Sequence, residues 1–165
     1  MQHIHSFDPI IDLHSRVLIL GSMPGKVSLD KGQYYAHPHN QFWTFIYSIL
    51  GTQPVITYEA KIILLKSRHI ALWDVIKDCQ RSGSSDSKII NPIINDFPDL
   101  ISRYPNIKSI LFNGKKAEQV FKKYLKTFSE SDIKLITLPS SSPANASISQ
   151  YEKLKAWSVI KDMVK

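Results

Sequence analysis

Two asparagines, one carboxylate and a cluster of hydroxyls are the side chains best suited to chemistry on an uncharged polar substrate. Asn40 closes HPHN within the block YYAHPHNQFW, residues 34 to 43. An asparagine amide offers one acceptor oxygen and two donor hydrogens without charge. It can hold a water, read a nucleobase edge, or cap the helix that starts here. Phe42 and Trp43 follow it. Adjacent helical residues point about 100° apart, so one is expected in the core while the other lines a pocket, where an aromatic face can stack on a base. Asn113 lies in FNGKK with Lys115, and Asn-Gly is also a common turn pair. LPSSSPAN holds Ser140, Ser141, Ser142, Pro143 and Asn145. Its prolines stiffen a slim loop whose hydroxyls suit phosphate contact or wedging into a duplex. Asp74 in LWDV is a single carboxylate, for a cap or a site.

Other patterns exclude chemistry. GSMPG, with Gly21, Ser22, Met23 and Pro24, is neither GxGxxG nor a P-loop. Its glycines still permit close backbone approach to an anion or a base. His37 and His39 lack a nearby acidic or cysteine partner, so no metal site is expected. Cys79 is alone, which rules out an intramolecular disulfide and a four-cysteine metal site. No GxSxG elbow surrounds Ser141.

These residues need elements to hold them. The aliphatic run Arg16 to Leu20 reads as a buried strand ending at GSMPG. Helices are expected from Asn40 to Gly51 and from Tyr58 to Ser67, with a strand from His69 to Val75. Residues 79 to 92 are small and polar and read as a loop. A helix over Asp96 to Tyr104, a strand over Ile107 to Phe112 and a helix over Gly114 to Lys126 follow. A strand over Ile133 to Leu138 and an amphipathic helix over Ser149 to Val164 complete the chain. Alternation of this kind predicts a parallel sheet covered on both faces, with ligands bound beyond the strands' carboxyl ends. GSMPG, DVIKDC, FNGKK and LPSSSPAN all follow strands.

The 165 residues fit one domain spanning 1–165. Lysine and arginine number 21 against 14 acidic residues, a net charge of +7, which suits a polyanionic partner. The N-terminus has neither a basic n-region nor an apolar h-region, so no signal peptide is expected and a cytoplasmic location is. No apolar run approaches a membrane span.

GSMPG, YYAHPHNQFW, ALWDVIKDC with GSSDSKI, FNGKK and LPSSSPAN, in this order, resemble the uracil-DNA glycosylase superfamily, and more narrowly its hypoxanthine-DNA (DNA-deoxyinosine) glycosylase branch. The resemblance runs from GSMPG to the final helix. It implies an α/β fold, a three-layer α/β/α sandwich with a central, mainly parallel four-stranded sheet. It implies that Asn40 is the essential amide, that Phe42 stacks on a flipped base, and that Asn113 serves base recognition or leaving-group stabilisation. Gly21 to Gly25 resemble the water-positioning motif, but Met23 stands where other branches carry Asn or Asp. The pocket wall would include Gly21, Ser22, Met23, Pro24, Asp74 and a tyrosine, with Tyr35 the candidate. Ser140 to Ser142, Pro143, Asn145 and Lys115 would meet DNA.

The expected activity is hydrolysis of an N-glycosidic bond in DNA that contains a deaminated base, leaving an abasic site, by a monomer without cofactor or metal. Asn40 would place a water or pair with O6 and N1–H of hypoxanthine. Uracil or another deaminated base, a non-catalytic DNA binder and a small-molecule α/β enzyme are the alternatives.

Overall fold

A computed structural model describes residues 2–126, 128 and 132–165; residues 1, 127 and 129–131 lie outside it. The elements, in chain order, are β1 (Gln2–His5), β2 (Val17–Gly21), α1 (Lys26–Lys31), α2 (Phe42–Leu50), α3 (Tyr58–Ser67), β3 (Ile70–Asp74), β4 (Ile76–Arg81), β5 (Ile90–Ile94), α4 (Phe97–Arg103), β6 (Ser109–Asn113), α5 (Lys115–Tyr124), β7 (Lys134–Leu138), α6 (Gln150–Trp157) and α7 (Ile160–Met163).

The central sheet has four strands in the order β3-β2-β6-β7, and every pairing is parallel. β2 is buried along its whole length, which is why it is a continuous aliphatic run rather than an alternating one. Its side chains still sort by parity. Val17 and Ile19 join one core with Phe42, Phe45 and Ile46 of α2, Leu65 of α3, and Trp157 and Ile160 of α6 and α7. Leu18 and Leu20 join the other with Phe97 and Leu100 of α4 and Ala117 and Phe121 of α5. The result is helices over both faces of a parallel sheet. No helix among the described residues is long and apolar enough to cross a membrane.

A second, three-stranded antiparallel sheet, β1-β4-β5, was not expected. It occupies part of the segment read as a loop over 79–92. β4 ends at Arg81, a short 3-10 turn covers Asp86–Lys88, and β5 starts at Ile90. β4 buries polar Asp78 and Arg81, and its pairing with β5 shifts register twice. α1 is likewise additional, closed by Gly32 in the left-handed conformation. The final helix is shorter than expected and broken between Trp157 and Ile160. α2 starts two residues after Asn40 and stops at left-handed Gly51, as the sequence suggests.

Candidate active site

The carboxyl ends of all four parallel strands open into one cleft of about 860 Å³, a normal size for a small-molecule or base pocket. Residues 21–28 after β2, Asp74 at the end of β3, Asn113 at the end of β6 and residues 140–145 after β7 line it. Tyr34, Tyr35, His37 and Asn40 close one side, and residues 84–87 close another.

A buried serine organises the two asparagines. Ser141 is 0% exposed. Its N–H donates to Asn113 Oδ1 at 2.9 Å, and its Oγ accepts from Asn113 Nδ2 at 2.9 Å. Its hydroxyl hydrogen then goes to Asn40 Oδ1 at 2.8 Å, and its carbonyl accepts from the Gln41 N–H at 3.0 Å. Phe42 N–H donates to the same Asn40 oxygen at 3.0 Å. Two backbone N–H donors therefore fix the orientation of both amides, because an N–H must face an oxygen. The Asn40 oxygen has both lone pairs occupied. Only its Nδ2 hydrogens remain for a ligand, so Asn40 cannot hold a water through its oxygen or accept from N1–H. Asn113 is committed through both amide atoms to Ser141, a positioning contact.

The aromatic wall differs from expectation. Phe42 and Trp43 are both core residues. Phe42 is 0% exposed, and Tyr35 stacks on it, with ring centroids 4.0 Å apart and planes 19° from parallel. Tyr35, not Phe42, presents its ring toward the cleft. It does so from a left-handed backbone, φ 53°, a costly conformation for an aromatic residue. Tyr34 also borders the cleft, but its hydroxyl donates to the Asp8 carbonyl at 2.8 Å. Trp43 donates its indole N–H to the Tyr34 carbonyl at 3.1 Å.

Gly21 is explained by what crosses it. A Cβ there would lie 2.7 Å from Asp74 Oδ1 and 3.2 Å from the Tyr35 hydroxyl. The missing side chain is the room these two groups occupy. Asp74 is 4% exposed, and burial, then the charge of Asp86, push its carboxyl up to about 7 against the pull of Arg81. Asp86 accepts the Ser22 hydroxyl at 2.8 Å, and burial raises its pKa as well. Arg81 is 2% exposed and donates to the Gly83 and Pro24 carbonyls. Asp86 and Arg81 were not anticipated. The motif GSSDSKI was visible, but only the fold brings residues 22 and 86 together.

The loop after β7 is laced internally. Ser142 N–H donates to Ser140 Oγ, Ala144 N–H to Ser142 Oγ, and Asn145 Nδ2 to the Ser140 carbonyl. Pro143 and Ala144 form its exposed tip. Ser141, expected against DNA, is instead sealed beneath the loop with every polar atom engaged. Lys115 is exposed at the start of α5, outside the cleft lining. Met23 borders the cleft and packs into the core.

Among the described residues no cluster of three metal-binding side chains lies in this cleft. His3, His5 and Asp78 bring their ligand atoms within 4.8 Å of one another elsewhere, where β1 pairs with β4 through His5 and Asp78.

The pattern describing the uracil DNA glycosylase superfamily matches residues 9–161. The chain belongs to the uracil DNA glycosylase superfamily. Within that superfamily it is 39% identical over 145 residues to a hypoxanthine DNA glycosylase from Methanosarcina acetivorans, covering 87% of this chain and 89% of the relative. It is 47% identical over 112 residues to one from Methanosarcina barkeri, covering 67% of this chain and 71% of the relative. A solution NMR structure of a candidate uracil DNA glycosylase from Methanosarcina acetivorans superposes with a TM-score of 0.84 at 36% identity, covering 98% of this chain and 99% of that one. The four-stranded parallel sheet and its helices are thus a uracil DNA glycosylase-like fold.

Proposed function

We infer that the protein is a DNA N-glycosylase that excises a deaminated base, hypoxanthine foremost, and leaves an abasic site. The observation that carries this reading is the serine-locked pair of asparagines, which leaves Asn40 with only its Nδ2 hydrogens to offer at the edge of a base-sized cleft at the strand ends. Relatives named hypoxanthine DNA glycosylase support it.

The base must first leave the duplex, at a cost of a few kcal/mol that is smallest for a mispaired base. In the cleft, the Asn40 amide donates to O6 of hypoxanthine. As the C1′–N9 bond stretches, negative charge grows on the leaving base, and a fixed donor at O6 stabilises it. Adenine carries an amine at that position, so donor would meet donor. A buried polar mismatch of this kind discriminates strongly. Tyr35 offers its face to the base, with Phe42 packed beneath it as support. Asn113 and Ser141 hold Asn40. Ser140, Ser142, Pro143 and Asn145 carry the loop that meets DNA, with Lys115 flanking it. Lys26 borders the cleft but pairs with Asp30 at 2.7 Å. The proposed reaction is simple hydrolysis by a monomer, without a lysine adduct or a metal.

A donor to O6 equally suits O4 of uracil, so uracil is the second reading. Matched duplexes carrying hypoxanthine, uracil or xanthine, with alkali cleavage reporting abasic sites, decide between them. Hypoxanthine release is expected, with near-total loss in Asn40→Ala and DNA binding retained. Normal excision by Asn40→Ala would sink the assignment. No release from any duplex, with salt-sensitive binding intact, would make the protein a binder.

A further inference from the structure

We propose that Asp74, at the end of β3, is the acid that protonates the purine as it leaves, with Asp86 the neighbouring negative charge that keeps it protonated. This rests on the glycosylase reading above and adds a catalytic group to it.

The geometry is that of a built site. Asp74 stands at the carboxyl end of β3 and borders the cleft. The parallel pairing of β3 with β2 sets it opposite Gly21, whose absent side chain gives its Oδ1 room. Its Oδ2 is buried without a hydrogen-bond partner. An ionised carboxylate left so poorly solvated is costly, and a protonated one much less so. Asp86 arrives from the turn after β4 and borders the same cleft, its Oδ2 held by the Ser22 hydroxyl.

The nearby charges do little to favour ionised Asp74. Arg81 is the buried cation beside the two carboxylates, but its recorded hydrogen bonds go to backbone carbonyls. For Asp74, Arg81 is the one cation whose pull is recorded. Lys116 on α5 acts on Asp86 from a distance, and Tyr34 and Tyr35 face Asp74 as neutral phenols, raised by burial. The Cys79 thiol, also raised by burial, lies on the Arg81 side. A buried, unpartnered carboxylate under the charge of a second one holds its proton to higher pH than an exposed one. That agrees with the elevated titration of both groups.

The chemistry needs such a proton. A purine leaves far more readily once its imidazole nitrogen N7 is protonated. N7 lies beside O6 on the same edge, so a base whose O6 takes the Asn40 donor turns N7 along the cleft wall. In the step, the Asp74 O–H proton passes to N7. The C1′–N9 bond breaks with its electron pair going to the purine, and a water oxygen bonds to C1′. The purine leaves neutral. The proton released by the water returns the Asp74 carboxylate to the acid, directly or through solvent, so the cycle closes without net proton change.

Single-turnover excision of hypoxanthine should be followed from pH 5 to 9 in the intact protein, in Asp74→Asn and in Asp86→Asn, with DNA binding measured alongside. The wild-type rate is expected to fall as pH rises through about 7. Asp74→Asn, close to isosteric, should lose about 100-fold or more at neutral pH and should show no such fall while still binding DNA. Asp86→Asn removes the neighbouring charge and should move the fall to lower pH. A duplex carrying 7-deazahypoxanthine, with carbon in place of N7, should bind but resist excision. Hypoxanthine release by Asp74→Asn at the wild-type rate, with the same pH profile, would overturn the acid while leaving the glycosylase reading intact. Ready cleavage of the 7-deaza base would also overturn it. A wild-type protein that releases uracil alone would overturn the purine acid and leave a glycosylase of different base choice; one that releases no base would defeat both readings.

Discussion

At the scale of single residues, absence matters as much as presence. Gly21 has no unusual dihedral to explain it; its role is spatial. An alanine methyl 2.7 Å from Asp74 Oδ1 must displace the carboxylate or the strand. We expect Gly21→Ala to lower excision by about 100-fold and stability by roughly 1–3 kcal/mol, checked by single-turnover assay and thermal unfolding. Asp74 also costs the fold something, and the sign follows from linkage. Its carboxyl binds its proton more tightly folded than unfolded, so its contribution is fully present below the unfolded pKa. That contribution is lost as pH rises toward about 7. Asp74→Asn should therefore gain stability over wild type progressively between about pH 4 and 7, with no further gain above that. Denaturant melts across that range test it. A constant difference would show that the buried carboxyl titrates normally.

At the scale of elements, the strands were legible and the hairpin was not. β2, β3 and β6 are buried on both faces, so each reads as an apolar run whatever its neighbours. β4 and β5 carry IKDCQR and INPII, which lack alternation because β4 buries polar side chains and the pairing slips. α1 is six residues long, too short for a periodic signal. Asn40 and Asn113 could be read from motif and spacing. The burial of Ser141 could not, because serine in a proline-flanked loop looks solvated until the loop folds over it. The expected division of Phe42 and Trp43 between core and pocket failed because α6 and the tyrosine block bury both. Gly114 links β6 to α5 at φ 97°, with a Cβ position only 3.0 Å from Ser140 Cβ. Gly114→Ala should cost roughly 1–3 kcal/mol from backbone strain and push the serine loop away from Asn113. A drop in unfolding midpoint together with lost excision is the expected pair of results. Lost stability with full activity would show that the loop position is not set there.

At the scale of the molecule, the net charge of +7 acts before any base is read. Binding to duplex DNA should weaken about tenfold or more between 50 and 200 mM salt, because each neutralised phosphate releases a counterion. Fluorescence anisotropy on undamaged duplex measures this. A flat salt dependence would favour a small-molecule substrate. The charge governs arrival, while the neutral amides and the buried carboxyls govern what happens in the cleft, so salt and pH should act on separable steps.

Ser141 joins the chain's distant parts into one heritable character. Asn40 and Asn113 lie 73 positions apart, yet the same serine fixes both. A mutation at 141 strikes both amides together, and a change at either asparagine leaves the serine with an unmet bond. The three positions are therefore poor material for stepwise evolution. A lineage acquiring new base preference has an easier path through Met23 and Tyr35, which border the same cleft outside that knot. Directed evolution should find its gains there.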